Sequence, residues 1–193
     1  MNDRIKEMIE EIETMKRKLG DEIVKEEEYI NYEIHNGYIE FEKEISDRQK
    51  QNMMHLWDWF REIPLIQLLS APVVYMMIVP AVMLDMMLFV YQNVVSRVFK
   101  IEFAKRSDYI VFDRQYLGYL NVVEKLNCLY CAYFNGVMQY ASSIAARTEL
   151  YFCPIKHAKK IAYTHEYYHV FLPYGDGDAY QKKLKELRKE EEK

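Results

Sequence analysis

Residues 63–99 form a long apolar run, and this run restricts the possible folds more than any other feature of the chain. Between Pro72 and Val90 only one of nineteen residues, Asp85, carries a charge. A helix needs about 20 apolar residues to cross the hydrocarbon core of a bilayer. Aromatic residues, which favour the border between lipid and water, lie near the ends of the run: Trp57, Trp59, Phe60 and Tyr91. The sequence therefore predicts a membrane-associated segment over residues 55–100.

The segment could be arranged in a membrane in two ways. The alternative to membrane association is a pair of buried helices in a soluble core. On the C-terminal side of the window Pro72–Val90 lie the basic residues Arg97, Lys100, Lys105, Arg106 and Arg114, and on its N-terminal side lie Arg61, Lys50 and Arg48. By the positive-inside rule, a single span would leave the C-terminal domain in the cytoplasm and the N-terminal arm outside.

The alternative is a re-entrant hairpin with both ends in the cytoplasm. The run is too short for two full crossings, and prolines, which favour kinks, recur at positions 64, 72 and 80. In either arrangement a charge in lipid is costly, so Asp85 is expected to face protein or the interface.

The N-terminal arm, residues 1–54, is acidic and is predicted to be helical to about residue 50. Residues 1–62 carry 17 acidic and 10 basic side chains. Apolar residues recur at the alternating spacings of three and four that mark a heptad seam: Ile5, Met8, Ile12, Met15 and Leu19. Gly20 and the pair Asn36-Gly37 interrupt the pattern. The arm is either a helix for self-association or an amphipathic helix that folds back on its own domain.

The composition favours an all-α fold and excludes one class of partner. The 193 residues include only six glycines and five prolines, fewer than the turns of an all-β protein require. The formal net charge is −4, and neither half has the dense basic stripe of a nucleic-acid-binding protein. No nucleic acid is therefore expected as a partner. After the membrane segment we expect a helical domain over residues 101–180 and a charged, solvated tail over residues 181–193.

All three cysteines fall into two pairs of potential metal ligands, Cys128 with Cys131 and Cys153 with His157. Residues three or four apart share one face of a helix, and two such pairs can supply four tetrahedral ligands. Because 21 residues separate the pairs, we expect two helices with a turn near Asn135-Gly136. The pattern predicts a structural Cys3His site for Zn²⁺, with iron or an iron–sulfur cluster as the alternative. Otherwise the cysteines act as small buried hydrophobes.

A second candidate site is the sequence His165-Glu166-x-x-His169. On an α-helix, two histidines four apart bind zinc and the glutamate acts as general base, as in zinc metallopeptidases. The third ligand that such a site requires is not evident in the 24 residues that follow. Another alternative is a carboxylate-bridged iron pair in a helical bundle, formed by Glu124, Glu149, Glu166 and His169.

The cysteines lie in two longer motifs, EKLNCLYCAYFNG and ARTELYFCPIKHA. These motifs resemble a small family of uncharacterised bacterial membrane-associated proteins with the signatures EKLNC-x-YC-x-Y-x-NG and ARTE-x-Y-x-CPIKHA. The resemblance covers roughly residues 55–160. It implies a bacterial, membrane-associated protein and implies no enzymatic activity.

These observations predict a membrane-anchored, metal-stabilised scaffold or accessory subunit of a bacterial membrane complex. It would lie in the inner membrane with its C-terminal domain in the cytoplasm, where thiols stay reduced. The expected partners are membrane lipid and a second copy or another protein, bound through residues 1–50. A membrane-bound zinc metallohydrolase that uses His165, Glu166 and His169 is the first alternative. An iron-based electron-transfer module is the second.

Overall fold

The structure is a computed structural model and describes residues 3–27, 32–35, 38–41 and 43–191. It divides into two compact units. Unit 1 comprises Met1–His55 and Tyr116–Asn121, and unit 2 comprises Leu56–Gln115 and Val122–Lys193. Regular structure in the described residues is helical apart from one short hairpin and an isolated bridge. The all-α prediction is therefore confirmed in outline.

Unit 1 contains α1 (Asp3–Glu27), β1 (Tyr32–His35), β2 (Tyr38–Phe41) and α2 (Lys43–Gln51). Gly20 does not interrupt α1, because a glycine in an exposed helix costs only about 1 kcal/mol. The predicted seam is exposed at Met8, Ile12, Met15 and Leu19, while the side chain of Ile5 lies outside the described residues. Self-association through this seam stays a prediction.

The hairpin corrects the expectation of helix up to residue 50. β1 and β2 pair antiparallel, with Tyr32 opposite Phe41 and His35 opposite Tyr38. β1 alternates aromatic or β-branched residues with polar ones, which is a strand period, and three of the four residues of β2 are aromatic or β-branched. Asn-Gly between two such runs is typical of a two-residue hairpin loop, so the pair that we read as a helix break was a hairpin signal. Asn36 and Gly37 themselves lie outside the described residues.

Unit 2 contains five helices that the structure describes: α3 (Leu56–Glu62), α4 (Leu65–Met76), α5 (Ile78–Phe99), α6 (Val122–Phe152) and α7 (Gly177–Glu191). Short 3-10 helices occur at Arg106–Asp108, Arg114–Tyr116 and Glu166–Val170. The helical stretch Leu65–Phe99, interrupted only at Met77, is long and apolar enough to cross a membrane by length and composition alone. Very little of it is buried inside the protein.

α5 and α6 pack side by side and run in the same direction. Three pairs of residues in contact, in ascending order along both helices, show this: Tyr75 at the end of α4 with Tyr130, Gln92 with Tyr140, and Phe99 with Phe152. The chain between the two helices must therefore run back along them. Residues 100–115, which we call the return segment, do so, because Ala104 contacts Gln92 and Arg106 contacts Asp85 further back.

Gly136 lies inside α6 at the point where we predicted a turn. α6 is continuous over 31 residues, so the predicted break is absent. A Cβ atom at Gly136 would lie 2.7 Å from the carbonyl oxygen of Tyr109 and 3.0 Å from the Cα of Ile110. Gly136 therefore does not form a turn. Its missing side chain allows the return segment to approach the backbone of α6.

We expect Gly136→Ala to lower the free energy of unfolding by about 1–3 kcal/mol, the usual cost of overpacking. The clash is with backbone atoms and outweighs the gain of about 1 kcal/mol in helix propensity. Denaturant unfolding of the purified protein measures the change. Gly20→Ala is the matched control, because no atom lies within 4 Å of a Cβ there, and it should not destabilise. Equal stabilisation at both positions would contradict the close approach.

The C-terminal residues form a docked helix rather than the solvated tail that we expected. Leu184 is buried in α7, and three further side chains make a small core between α6, the 3-10 helix and α7: Leu150, Phe171 and Leu187. The backbone N–H of Ala179 donates to the Asp176 carboxylate at 3.2 Å, an N-cap that starts α7. The charged composition of the tail therefore marks the solvent face of an amphipathic helix.

Candidate functional site

The two predicted pairs of metal ligands lie at opposite ends of α6. Cys128 and Cys131 lie near its start, whereas Cys153 follows its last residue, Phe152. Since an α-helix rises about 1.5 Å per residue, Cys131 and Cys153 are about 33 Å apart along its axis. Ligands of one zinc ion lie within about 4 Å of each other. A Cys3His site formed by one chain, with His157 as fourth ligand, is therefore incompatible with a continuous α6.

The surroundings of the thiols agree with this separation. Cys131 and Cys153 are exposed and Cys128 is partly buried, and all three are free. Among the described residues, no group of three or more His, Cys, Asp and Glu side chains could hold a metal ion. The described part of one chain therefore brings together no set of ligands for zinc, iron or an iron–sulfur cluster.

The motif from His165 to His169 adopts a 3-10 helix rather than an α-helix. With about three residues per turn, positions four apart no longer lie on one face. The Nε2 atom of His165 lies 3.1 Å from the Glu149 carboxylate, and the Nδ1 atom of His169 lies 2.6 Å from the Glu166 carbonyl oxygen. The paired histidines that a zinc metallopeptidase requires are therefore not formed by these residues.

The distance along a continuous α6 also separates the ligands of the carboxylate-bridged iron pair. Glu124 lies in the first turn of α6 and Glu149 near its end. These carboxylates are separated by about 37 Å along the helix, so they cannot bridge one pair of ions. Glu149 instead pairs with His165, a contact that sequence spacing alone did not indicate.

A cavity of about 560 Å³ lies beside this histidine–glutamate pair. Its lining residues are Tyr109, Met138, Gln139, Ser142, Ser143, Ala146, Tyr163, His165 and Glu166. The volume is within the range of small-molecule sites. The Nδ1 atom of His165 is buried, and the described residues offer it no hydrogen-bond partner. If Nε2 donates to Glu149, Nδ1 is an acceptor. The cavity can then hold a small polar molecule.

Asp85, the only charged residue between Pro72 and Val90, is neutralised inside unit 2. The Arg106 guanidinium donates to the Asp85 carboxylate from Nη2 at 2.7 Å and from Nε at 3.0 Å, and the Tyr133 hydroxyl donates to it at 2.9 Å. The hydrogen bonds to Asp85 raise the pKa of Arg106 above its usual value. Asp85 therefore faces protein, as expected, but no spacing in the sequence identified Arg106 as its partner.

A second polar contact lies further along the same face of α5. The side chain of Gln92 donates to the carbonyl oxygen of Ala104 at 3.0 Å and accepts from the N–H of Ala104 at 3.1 Å, and it also donates to the hydroxyl of Tyr140 at 3.2 Å. The amide thus satisfies both backbone groups of a buried residue in the return segment. The sequence did hold a signal for it, because Gln92 lies two helical turns after Asp85.

α5 is therefore polar or small where it is buried, and most of its exposed residues are apolar, with Arg97 in its last turn as an exception. Its buried residues are Ala81, Asp85, Gln92 and Ser96. The side opposite them, which we call the apolar face, consists of Met83, Met87, Val90 and Val94, each at least half exposed. α4 has no buried residue. A soluble amphipathic helix has the reverse arrangement, so the apolar face and α4 form the candidate functional surface of unit 2.

No protein-family model, no curated protein and no solved structure matches this chain. The resemblance to bacterial membrane-associated proteins therefore stays an expectation from the two cysteine motifs. The functional argument rests on the geometry of the chain itself.

Proposed function

We propose that the protein is a membrane-attached, non-catalytic scaffold or accessory subunit. The observation that carries the proposal is the surface of α4 and α5, because most of the exposed residues of these two helices are apolar. Large exposed apolar patches mark contacts with membranes or other proteins. Lipid is favoured over protein because α4 has no buried residue and its exposed apolar side chains lie on different sides, as Ile66, Leu68 and Val74 illustrate, whereas a protein partner covers one side of a helix.

The scaffold part of the proposal rests on α1. Its seam of Met8, Ile12, Met15 and Leu19 is exposed, and a heptad seam is buried when two helices pair. Ile23 continues this stripe and is also exposed. A second copy of the chain or another protein with a matching helix would cover it, while the apolar segment holds the protein on the membrane.

The non-catalytic part is supported by how the chemistry-bearing residues are used. His165 and His169 bond different partners. The two predicted pairs of metal ligands, one of two cysteines and one of a cysteine and a histidine, lie at opposite ends of α6. A zinc hydrolase and an iron electron-transfer module therefore each lack the ligand arrangement that they need. The proposed location is a bacterial inner membrane facing the cytoplasm. It rests on the resemblance of the motifs and on the free thiols, which suit a reducing compartment.

Carbonate extraction tests the membrane attachment. The full-length chain, expressed in a bacterium, is expected to sediment with the membranes, to remain there after a sodium carbonate wash and to be released by detergent. The reason is that hydrophobic insertion, unlike electrostatic adsorption, survives high pH and the loss of peripheral proteins. A chain that appears in the supernatant before or after the wash contradicts the proposal.

A further inference from the structure

Residues from before and after the apolar run pack together in unit 1. The unit combines Met1–His55 with Tyr116–Asn121. The backbone N–H of Gly118 donates to the side-chain oxygen of Gln49 at 2.9 Å. A Cβ atom at Gly118 would lie 3.1 Å from the Cβ of Gln49, so the two segments are in close contact. A chain that crosses a bilayer once would separate these segments by the membrane, so unit 1 excludes a single span.

Two crossings are excluded by length. The helical stretch Leu65–Phe99 has 35 residues. Each crossing needs about 20 residues, and a turn must connect the two. The stretch can therefore enter the bilayer but must leave it on the side where it entered.

The contacts of α5 exclude a deep position for this helix. The return segment lies against the buried side of α5, with Arg106 at Asp85 and Ala104 at Gln92. Two neighbouring charged residues of the return segment, Lys105 and Asp108, are exposed. A charge at the centre of a bilayer costs about 2.5–3.5 kcal/mol even on the lowest scales, so this side of α5 belongs in water or among headgroups.

α4 has the dimensions of a partial insertion. It has 12 residues, which corresponds to about 18 Å of helix, against the 30 Å or so of a bilayer core. Its last turn already contacts α6, where the Tyr130 hydroxyl donates to the carbonyl oxygen of Val74 at 2.6 Å. Within the described residues, the turns of α4 before Val74 and the apolar face of α5 are therefore the surfaces best suited to enter lipid.

We infer that the chain attaches to a single leaflet, with α4 dipping into it and α5 lying along its surface. The apolar face of α5 enters the boundary between headgroups and acyl chains, and residues 1–55 and 100–191 remain on one side of the membrane. Arg97 and Lys100 are exposed at the end of α5, where they can contact anionic lipid headgroups. This inference rests on the proposed membrane attachment and specifies its geometry.

Labelling of single cysteines on either side of the run tests the inference. In a chain with Cys128, Cys131 and Cys153 replaced by serine, one variant carries Arg17→Cys in α1 and another carries Lys159→Cys. Both positions are exposed. Spheroplasts that express each variant are treated with a membrane-impermeant maleimide, before and after permeabilisation. We expect the two cysteines to behave alike, both protected until permeabilisation if the protein faces the cytoplasm.

A disulfide provides a second measurement that depends on the same topology. Gln49→Cys combined with Gly118→Cys is expected to form an intramolecular disulfide in isolated membranes under mild oxidation, because their Cβ positions nearly meet. Gln49→Cys combined with Lys159→Cys is the control pair. The readout is a shift in gel mobility that a reductant reverses. If the chain with all three cysteines replaced by serine is not produced in cells, the native chain can be used instead. Labelling of its Cys131 and Cys153 is then compared with labelling of the same chain carrying Arg17→Cys.

The outcomes separate the two proposals. Membrane-bound chains in which Arg17→Cys and Lys159→Cys are labelled from opposite sides contradict the single-leaflet geometry and leave the membrane attachment intact. A chain that is soluble, including one that dimerises through the apolar face of α5, contradicts both. Membrane-bound chains with matching accessibility and the Gln49–Gly118 disulfide support both.

Discussion

Two glutamates on the apolar face of α5 are expected to abolish membrane attachment. Val90→Glu combined with Val94→Glu should lower the membrane-bound fraction at least tenfold, which corresponds to a loss of about 1.4 kcal/mol or more in binding free energy. Both valines are more than half exposed in the protein. On a membrane surface each would lose its apolar burial and place a carboxylate among acyl chains, which is costly. Flotation of the purified protein with phosphatidylethanolamine and phosphatidylglycerol vesicles measures the fraction.

The control adds the same two charges elsewhere in unit 2. Gln139→Glu and Gln181→Glu lie on exposed positions of α6 and α7 and leave the apolar face unchanged. This variant should float with the vesicles about as well as the native chain, apart from a small electrostatic repulsion by anionic lipid that salt screens. Equal loss in both variants would show that net charge, rather than the apolar face, controls attachment.

Gln92→Leu is expected to lower the free energy of unfolding by about 2–4 kcal/mol. The substitution keeps an apolar side chain of similar size but removes the hydrogen bonds to the N–H and carbonyl oxygen of Ala104. Ala104 is 3% exposed, so water cannot replace the lost partners. Each buried polar group without a partner costs about 1–3 kcal/mol. Denaturant unfolding of the detergent-solubilised protein measures the change.

The neighbouring residue is the matched control for this substitution. The side chain of Asn93 donates only to the carbonyl oxygen of Phe89, within its own helix. Asn93→Leu should therefore change stability by less than about 1 kcal/mol, the range of a single net hydrogen bond. If Gln92→Leu is no more destabilising than Asn93→Leu, the return segment does not depend on this contact.

Helical periodicity and the apolar run were sufficient to predict much of the local structure. Heptad spacing identified α1, and the uncharged stretch around Pro72 identified the candidate membrane segment. Both signals are local, because they depend on which residues follow one another on a helix face. Asp85 was likewise expected to face protein, since a charge in lipid is costly wherever the chain goes.

The errors arose where one local signal has two structural meanings. Asn-Gly marks a hairpin loop between strands, and the same pair at Asn135-Gly136 lies inside a helix because a neighbouring segment packs against Gly136. A short sequence window around Gly136 does not reach Tyr109, whose carbonyl oxygen leaves no room for a side chain at position 136. The described residues of one chain do not form the Cys3His site, which required α6 to break at that glycine.

The sequence alone determined that the chain is largely helical, that it carries an apolar segment too long for an ordinary soluble helix, and that Cys128 and Cys131 share one face of a helix. These properties follow from residue type and short spacing. Only the tertiary structure decided which residues meet: Gln49 with Gly118, Asp85 with Arg106, and Glu149 with His165. Partners this far apart in the chain are selected by packing of whole helices, and the first of these contacts is the one from which we infer that both ends of the apolar segment lie on one side of a membrane.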